Sequence, residues 1–129
     1  MTVIVAHQAS KISERVLAEA LREAKMRETD LVVLNITDSL DLDKQEALQV
    51  GIGDVVTKVG EDSGVDWTVE LVAGASDVAE RILGAVDSHR AELLVIGARH
   101  RSPMGKALLG SITQTLLLEA SVPVLVVKR

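Results

Sequence analysis

Gly97 and the pair Gly110-Ser111 bracket a long polar connection, Gly97-Ala98-Arg99-His100-Arg101-Ser102-Pro103-Met104-Gly105-Lys106-Ala107-Leu108-Leu109-Gly110-Ser111, which leads into Ile112-Thr113 and a helix-like segment. These residue types suit an anion. At a helix N-terminus the first backbone N–H groups have no partner within the helix, and the dipole favours negative charge. A glycine there lets a phosphate approach, and the hydroxyls of Ser111 and Thr113 add donors. Arg99, Arg101 and Lys106 place positive charge in the same stretch of a chain whose formal net charge is −5. A plainer reading stands beside this one: glycines end strands, serines cap helices, and loop cations are solvated. A second loop, His7-Gln8-Ala9-Ser10, follows the first apolar run.

Other chemistries find less support. The absence of cysteine excludes disulfides, thiol nucleophiles and thiolate metal sites, and it fits a reducing compartment. His7, His89 and His100 are too scattered for a metal motif, so no metal ligand is assigned. His7 and Ser10 pair a base with a hydroxyl, but neighbours in one loop rarely supply nucleophile, base and orienting group together. No catalytic residue is assigned. Gly105-Lys106 lacks the glycine spacing and the following Ser or Thr of a P-loop. With 14 basic against 19 acidic residues, the chain lacks the basic field a nucleic acid requires. No apolar run approaches the roughly 18 residues that span a bilayer, and Met1 leads into Val3–Ala6 with no basic leader. No membrane partner and a cytoplasmic location are therefore expected.

The elements that position these loops are legible in the hydropathy pattern. Val3–Ala6, Leu31–Leu34, Leu93–Ile96 and Val124–Val127 are nearly continuous apolar runs, as in strands buried on both faces. Trp67–Val72 alternates instead and reads as an edge strand. Ile12, Val16, Ala20, Leu21 and Ala24 recur with helical spacing between charges, which predicts an amphipathic helix. Residues 44–62 predict a second, although Gly51 and Gly53 each cost about 1 kcal/mol in a helix interior, leaving a kink or break there open. Ser76 is placed to cap a third helix carrying Val78, Ile82, Ala85 and Val86, with Asp77 and Glu80 in its first turn and His89 and Arg90 in its last. A fourth, about Leu109 to Ala120, puts Ile112, Leu116, Leu117 and Ala120 on one face.

Of the 129 residues, 47% are apolar and 1% aromatic, so one domain over residues 1–129 with an aliphatic core is expected. Strands alternating with helices predict an α/β fold, a doubly wound open five-stranded parallel sheet with helices on both faces. Ligands of such sheets bind beyond the carboxyl ends of the strands, where the winding reverses.

Leu94-Val95-Ile96-Gly97, the connection to Gly110-Ser111, and Val122-Pro123-Val124-Leu125-Val126 together resemble the carboxyl half of universal stress proteins. In ATP-binding members that loop runs Gly, two residues, Gly, nine residues, Gly, then Ser or Thr. Gly97, Gly110 and Ser111 keep this spacing, and His100 stands at the second glycine. The likeness spans the chain: Val3–Ser10 resembles the family's first strand and loop, Leu31–Thr37 its second strand, and Val72-Ala73-Gly74-Ala75 the turn into its third helix.

The resemblance implies an adenine nucleotide alpha hydrolase-like sheet of order 3-2-1-4-5. It further implies a cytoplasmic stress-response module that binds ATP or another adenine nucleotide and acts as a homodimer paired along its last strands. The backbone of Ile36 would face adenine, the first loop with Gln8 would face base and ribose, and Gly97, Gly110, Ser111, Ile112 and Thr113 would hold the phosphates. Ala6, Arg99 and His100 complete the implied binding positions. Two residues depart from the family pattern. Gln8 replaces an acidic residue; its amide can bond a ribose hydroxyl but gives magnesium no anionic partner, so a magnesium requirement is not carried over. His100 either narrows the pocket or donates its imidazole to phosphate. Both departures keep open a nucleotide-free dimeric interaction protein as a second reading. A slow ATP hydrolase, the third, lacks an identifiable general base.

Overall fold

Period-two alternation divides the apolar runs between two cores. The computed structural model describes residues 1–8, 12–37, 41–60, 63–73, 77–98, 100–101, 107–108 and 110–128. In chain order the elements are β1 (Thr2–His7), α1 (Ser13–Met26), β2 (Asp30–Thr37), α2 (Leu42–Val59), β3 (Trp67–Ala73), α3 (Val78–Ser88), β4 (Ala91–Gly97), β5 (His100–Arg101), β6 (Ala107–Leu108), α4 (Ser111–Glu119) and β7 (Val124–Val127). The main sheet is parallel in the order β3-β2-β1-β4-β7, the expected 3-2-1-4-5 arrangement with β7 as its fifth strand. The alternating segment Trp67–Val72 does lie at an edge, as β3.

Val3, Val5, Leu31, Val33, Leu93 and Val95 point to one face, where Val16, Leu17, Ala20, Leu21 and Ala24 of α1 and Ile52 and Val56 of α2 cover them. Ile4, Val32, Leu34, Leu94 and Ile96 point to the other, against Val78, Ile82 and Val86 of α3 and Leu116 of α4. Each fully buried aliphatic side chain contributes about 1.5–3 kcal/mol, and most of the three central strands is buried this way. The carboxyl ends of β1, β2 and β4 are thus held rigidly at one rim.

Several boundaries differ from the expectation. α2 starts two residues earlier than residue 44, ends at Val59, and runs unbroken through Gly51 and Gly53. The Asp41 side chain accepts from the Asp43 and Lys44 backbone N–H groups, and burial of Ile52 and Val56 anchors the second half. Tertiary contact overrides local propensity there.

α3 ends at Ser88, so His89 is its C-cap and Arg90 follows with positive φ, outside the last turn. His89 Nε2 sits 2.7 Å from Glu70 Oε1 on β3. At the other end Asp77 precedes the first turn, in a left-handed conformation with no side-chain cap bond. The predicted cap, Ser76, lies outside the described residues. α4 is shorter than 109–120, with Ala120 as its C-cap. Its predicted apolar face is mostly uncovered: Leu116 alone of the four is buried, while Ile112 and Leu117 remain exposed. α4 lies beside α3, where the shared core takes in Leu116.

The long connection after β4 also carries an unpredicted antiparallel ribbon, β5 with β6. Among the described residues no helix is long and apolar enough to cross a membrane.

Candidate functional site

The chain leaves β1 toward β2 and β3 on one side, while β4 and β7 lie on the other. A doubly wound sheet opens its crevice there, outside the carboxyl ends of β1 and β4. His7 ends β1 and Gly97 ends β4, with exposed Gln8 just beyond and Ala6 half-buried just before.

The two glycines of the site are small for different reasons. A Cβ built on Gly97 would stand 2.9 Å from Val16 Cγ2 and 3.1 Å from Ile12 Cδ1, so glycine lets the first turn of α1 close over the end of β4. Gly97→Ala is expected to lower stability by about 1–3 kcal/mol through overpacking. A urea midpoint equal to that of the parent chain would contradict this contact. Gly110 is different: its φ is −65°, and among the described residues no atom lies within 4 Å of an added Cβ. Among the described residues nothing in the packing asks for glycine there.

Gly110 is the N-cap of α4 and offers no side-chain cap, and the first intrahelical bond it accepts comes from Gln114 N at 3.0 Å. The N–H groups of Ser111, Ile112 and Thr113 therefore open the helix without intrahelical partners. Ser111 and Ile112 are exposed and Thr113 is half-buried, so this end is accessible to an anion.

β2 outruns β1. The β1–β2 ladder ends at His7↔Asn35, whereas the β2–β3 ladder continues through Ile36↔Val72 and Thr37↔Ala73. The backbone of Ile36 thus passes the end of β1 at the rim of the crevice.

A polar chain lies beneath this rim. Asn35 Nδ2 donates to Gln49 Oε1 of α2 at 2.9 Å, and Asn35 Oδ1 lies 3.2 Å from His7 Nδ1. An amide whose nitrogen donates to Gln49 must accept through its oxygen, so His7 carries its proton on Nδ1. Burial favours the neutral His7 imidazole and pushes its pKa below the ordinary range, offset in part by the hydrogen bond it donates to Asn35. Ser10, the hydroxyl weighed as a partner of His7, lies outside the described residues.

The structure brings Ala6, Gln8, Ile36, Gly97 and the Gly110–Thr113 helix start to one rim. Arg99 and Lys106 lie outside the described residues, and His100 enters as β5 backbone paired with Leu108. Asn35 and Gln49 were missed. The signal for Asn35 was present, as a polar residue inside an apolar strand; nothing local marked Gln49.

The universal stress protein family description matches residues 1–128 of the chain. The chain belongs to that family. A universal stress protein of Mycolicibacterium smegmatis is 42% identical over 127 residues, covering 98% of this chain and 96% of that protein. Two solved structures share the fold. A universal stress protein from Archaeoglobus fulgidus in complex with dAMP has a TM-score of 0.77 at 22% identity, over 98% of this chain and 96% of that one. A universal stress protein in complex with cAMP has a TM-score of 0.75 at 23% identity, over 99% and 96%.

Proposed function

We propose that this universal stress protein binds an adenine nucleotide, ATP or its products, in the crevice at the carboxyl ends of β1, β2 and β4, and regulates partners by binding rather than by turnover. The observation that carries this reading is Gly110, a glycine for which the described residues give no packing reason, set at an exposed helix start whose first N–H groups have no partner within the helix. The dAMP and cAMP complexes of two universal stress proteins of the same fold support the choice of ligand class. The phosphates lie against the start of α4, the ribose against Gln8, and the base against Ile36. Arg99 and His100 supply positive or donor groups from the connection. With Gln8 exposed after β1, the site offers no carboxylate at that position, so binding proceeds without a magnesium requirement. The protein works in the cytoplasm as a homodimer joined along β7.

Isothermal calorimetry with AMP, ADP and ATP, with and without magnesium, tests the reading. Saturable binding to the folded protein, insensitive to magnesium, is the expected result. No heat with any of the three overturns it in favour of a nucleotide-free interaction protein, the reading that Gln8 and His100 favour. Multiple-turnover phosphate release in the same samples overturns the non-catalytic part.

A further inference from the structure

α2 is one continuous helix buried only along its second half. Its buried residues are Ile52 and Val56, both in the second half, where they join the core beneath α1. No residue from 42 through 51 is buried, and Leu42 and Val50 are 78% and 61% exposed. Because a helix after a strand starts at the carboxyl edge of the sheet, this unburied half stands beside the crevice. The Gln49 side chain ties it to the sheet through Asn35, the neighbour of Ile36.

The junction between the halves is built to bend. Gly51 and Gly53 fall there, and among the described residues no atom lies within 4 Å of a Cβ added to either. Packing does not ask for these glycines, and each weakens a helix relative to alanine. Thr57 Oγ1 donates to the Gly53 carbonyl at 2.8 Å, a side-chain bond to the preceding turn that bends helices. At the far end the Asp41 side chain caps the first turn and holds the start of the half in helix while it is docked.

We infer that residues 42–51 form a flap over the crevice, hinged at Gly51 and Gly53 and latched by the Asn35–Gln49 hydrogen bond. With the latch made, the flap closes the β2 side of the site against Ile36; with it broken, the flap swings out on the glycines and admits or releases the ligand. A crevice ligand held against the Ile36 backbone bears on the strand that carries Asn35, so its presence favours the latched state and the latch slows its escape. That the ligand is an adenine nucleotide rests on the function proposed above; the hinge and latch do not.

Hydrogen exchange read by mass spectrometry tests the device in ligand-free protein. A helix shorter than about 12 residues is marginal when released from its support, so opening appears as exchange in peptides covering 42–53. Gln49→Met removes the acceptor at similar size and is expected to speed exchange there about fivefold, the factor one net hydrogen bond is worth. β1, β2 and β4 should keep their protection. Gly51→Ala with Gly53→Ala stiffens the hinge and is expected to slow exchange in the same peptides by fivefold or more, as two helix-favouring substitutions require. Unchanged exchange at 42–53 in either variant, or equal acceleration in the three strands with Gln49→Met, overturns the flap. With AMP as the probe, protection of 42–53 should rise in the parent protein, and AMP should leave Gln49→Met faster in stopped-flow chase. Calorimetric AMP binding without added protection overturns the coupling. Absence of AMP binding removes the nucleotide reading alone, because the two ligand-free results still support the flap.

Discussion

Gly110→Val is expected to abolish binding of AMP, ADP and ATP in calorimetry while leaving the urea midpoint close to that of the parent chain. The two halves of this expectation come from one geometry. The backbone at Gly110 has φ −65° and ψ 162°, an extended conformation valine adopts readily, and no described atom lies within 4 Å of its Cβ. Among the described residues nothing fills that space, and it is the space the proposed phosphate needs to reach the N–H groups of Ser111 and Ile112. Filling it should cost at least about a hundredfold in affinity, roughly 2.7 kcal/mol. Ser111→Ala serves as the internal control: it removes one hydroxyl donor, worth on the order of 1 kcal/mol, and leaves the amides and dipole in place, so affinity falls only several-fold. Equal affinities for Gly110→Val and the parent chain would move the anion away from α4.

On the homodimer proposed above, Val126→Lys is expected to give monomer or insoluble protein in light scattering, because β7 is an edge strand with an unusually apolar sequence. β7 pairs with β4 on one side, and its free side faces outward at the end of the sheet. Val124, Leu125 and Val126 are half-buried, while Ile112, Leu117 and Leu118 of the adjacent α4 are exposed, Leu118 by 85%. Such an edge templates pairing with another strand unless something covers it, and a second copy covers it symmetrically.

A sharper variant follows from the ladder. Leu94 N donates to Pro123 O, and Ala98 N donates to Val127 O, so residues 123 and 127 present their backbone to β4, and alternation turns Val124 and Val126 outward. Val126→Pro deletes an outward N–H and leaves the β4 ladder intact, as proline on a free edge permits. It should be a soluble monomer. A soluble Val126→Pro protein that stays dimeric would sink pairing along β7.

By itself, the order of apolar runs determined the strands, the parallel sheet and its cores, because residues buried on both faces must be continuously apolar and those on one face must alternate. Gly110 and Ser111 were readable as a helix start for a similar reason, since a glycine and a hydroxyl ahead of an apolar periodic run need no knowledge of what packs nearby. Tertiary structure decided the rest. Whether a glycine serves packing or a ligand depends on what stands beside its missing side chain, and only the folded chain places Val16 and Ile12 against Gly97 while leaving Gly110 open. Helix α2 survives its two glycines because Ile52 and Val56 find a core, an energy that no local pattern contains. α4 was assigned an apolar face by spacing, but burial requires a partner surface, and α4 lies beside α3, where the shared core takes in Leu116 and leaves Ile112 and Leu117 in the open. Asn35 meets His7 and Gln49 across separations of 28 and 14 residues, a contact set by strand register and helix docking together, which periodicity along one segment cannot report.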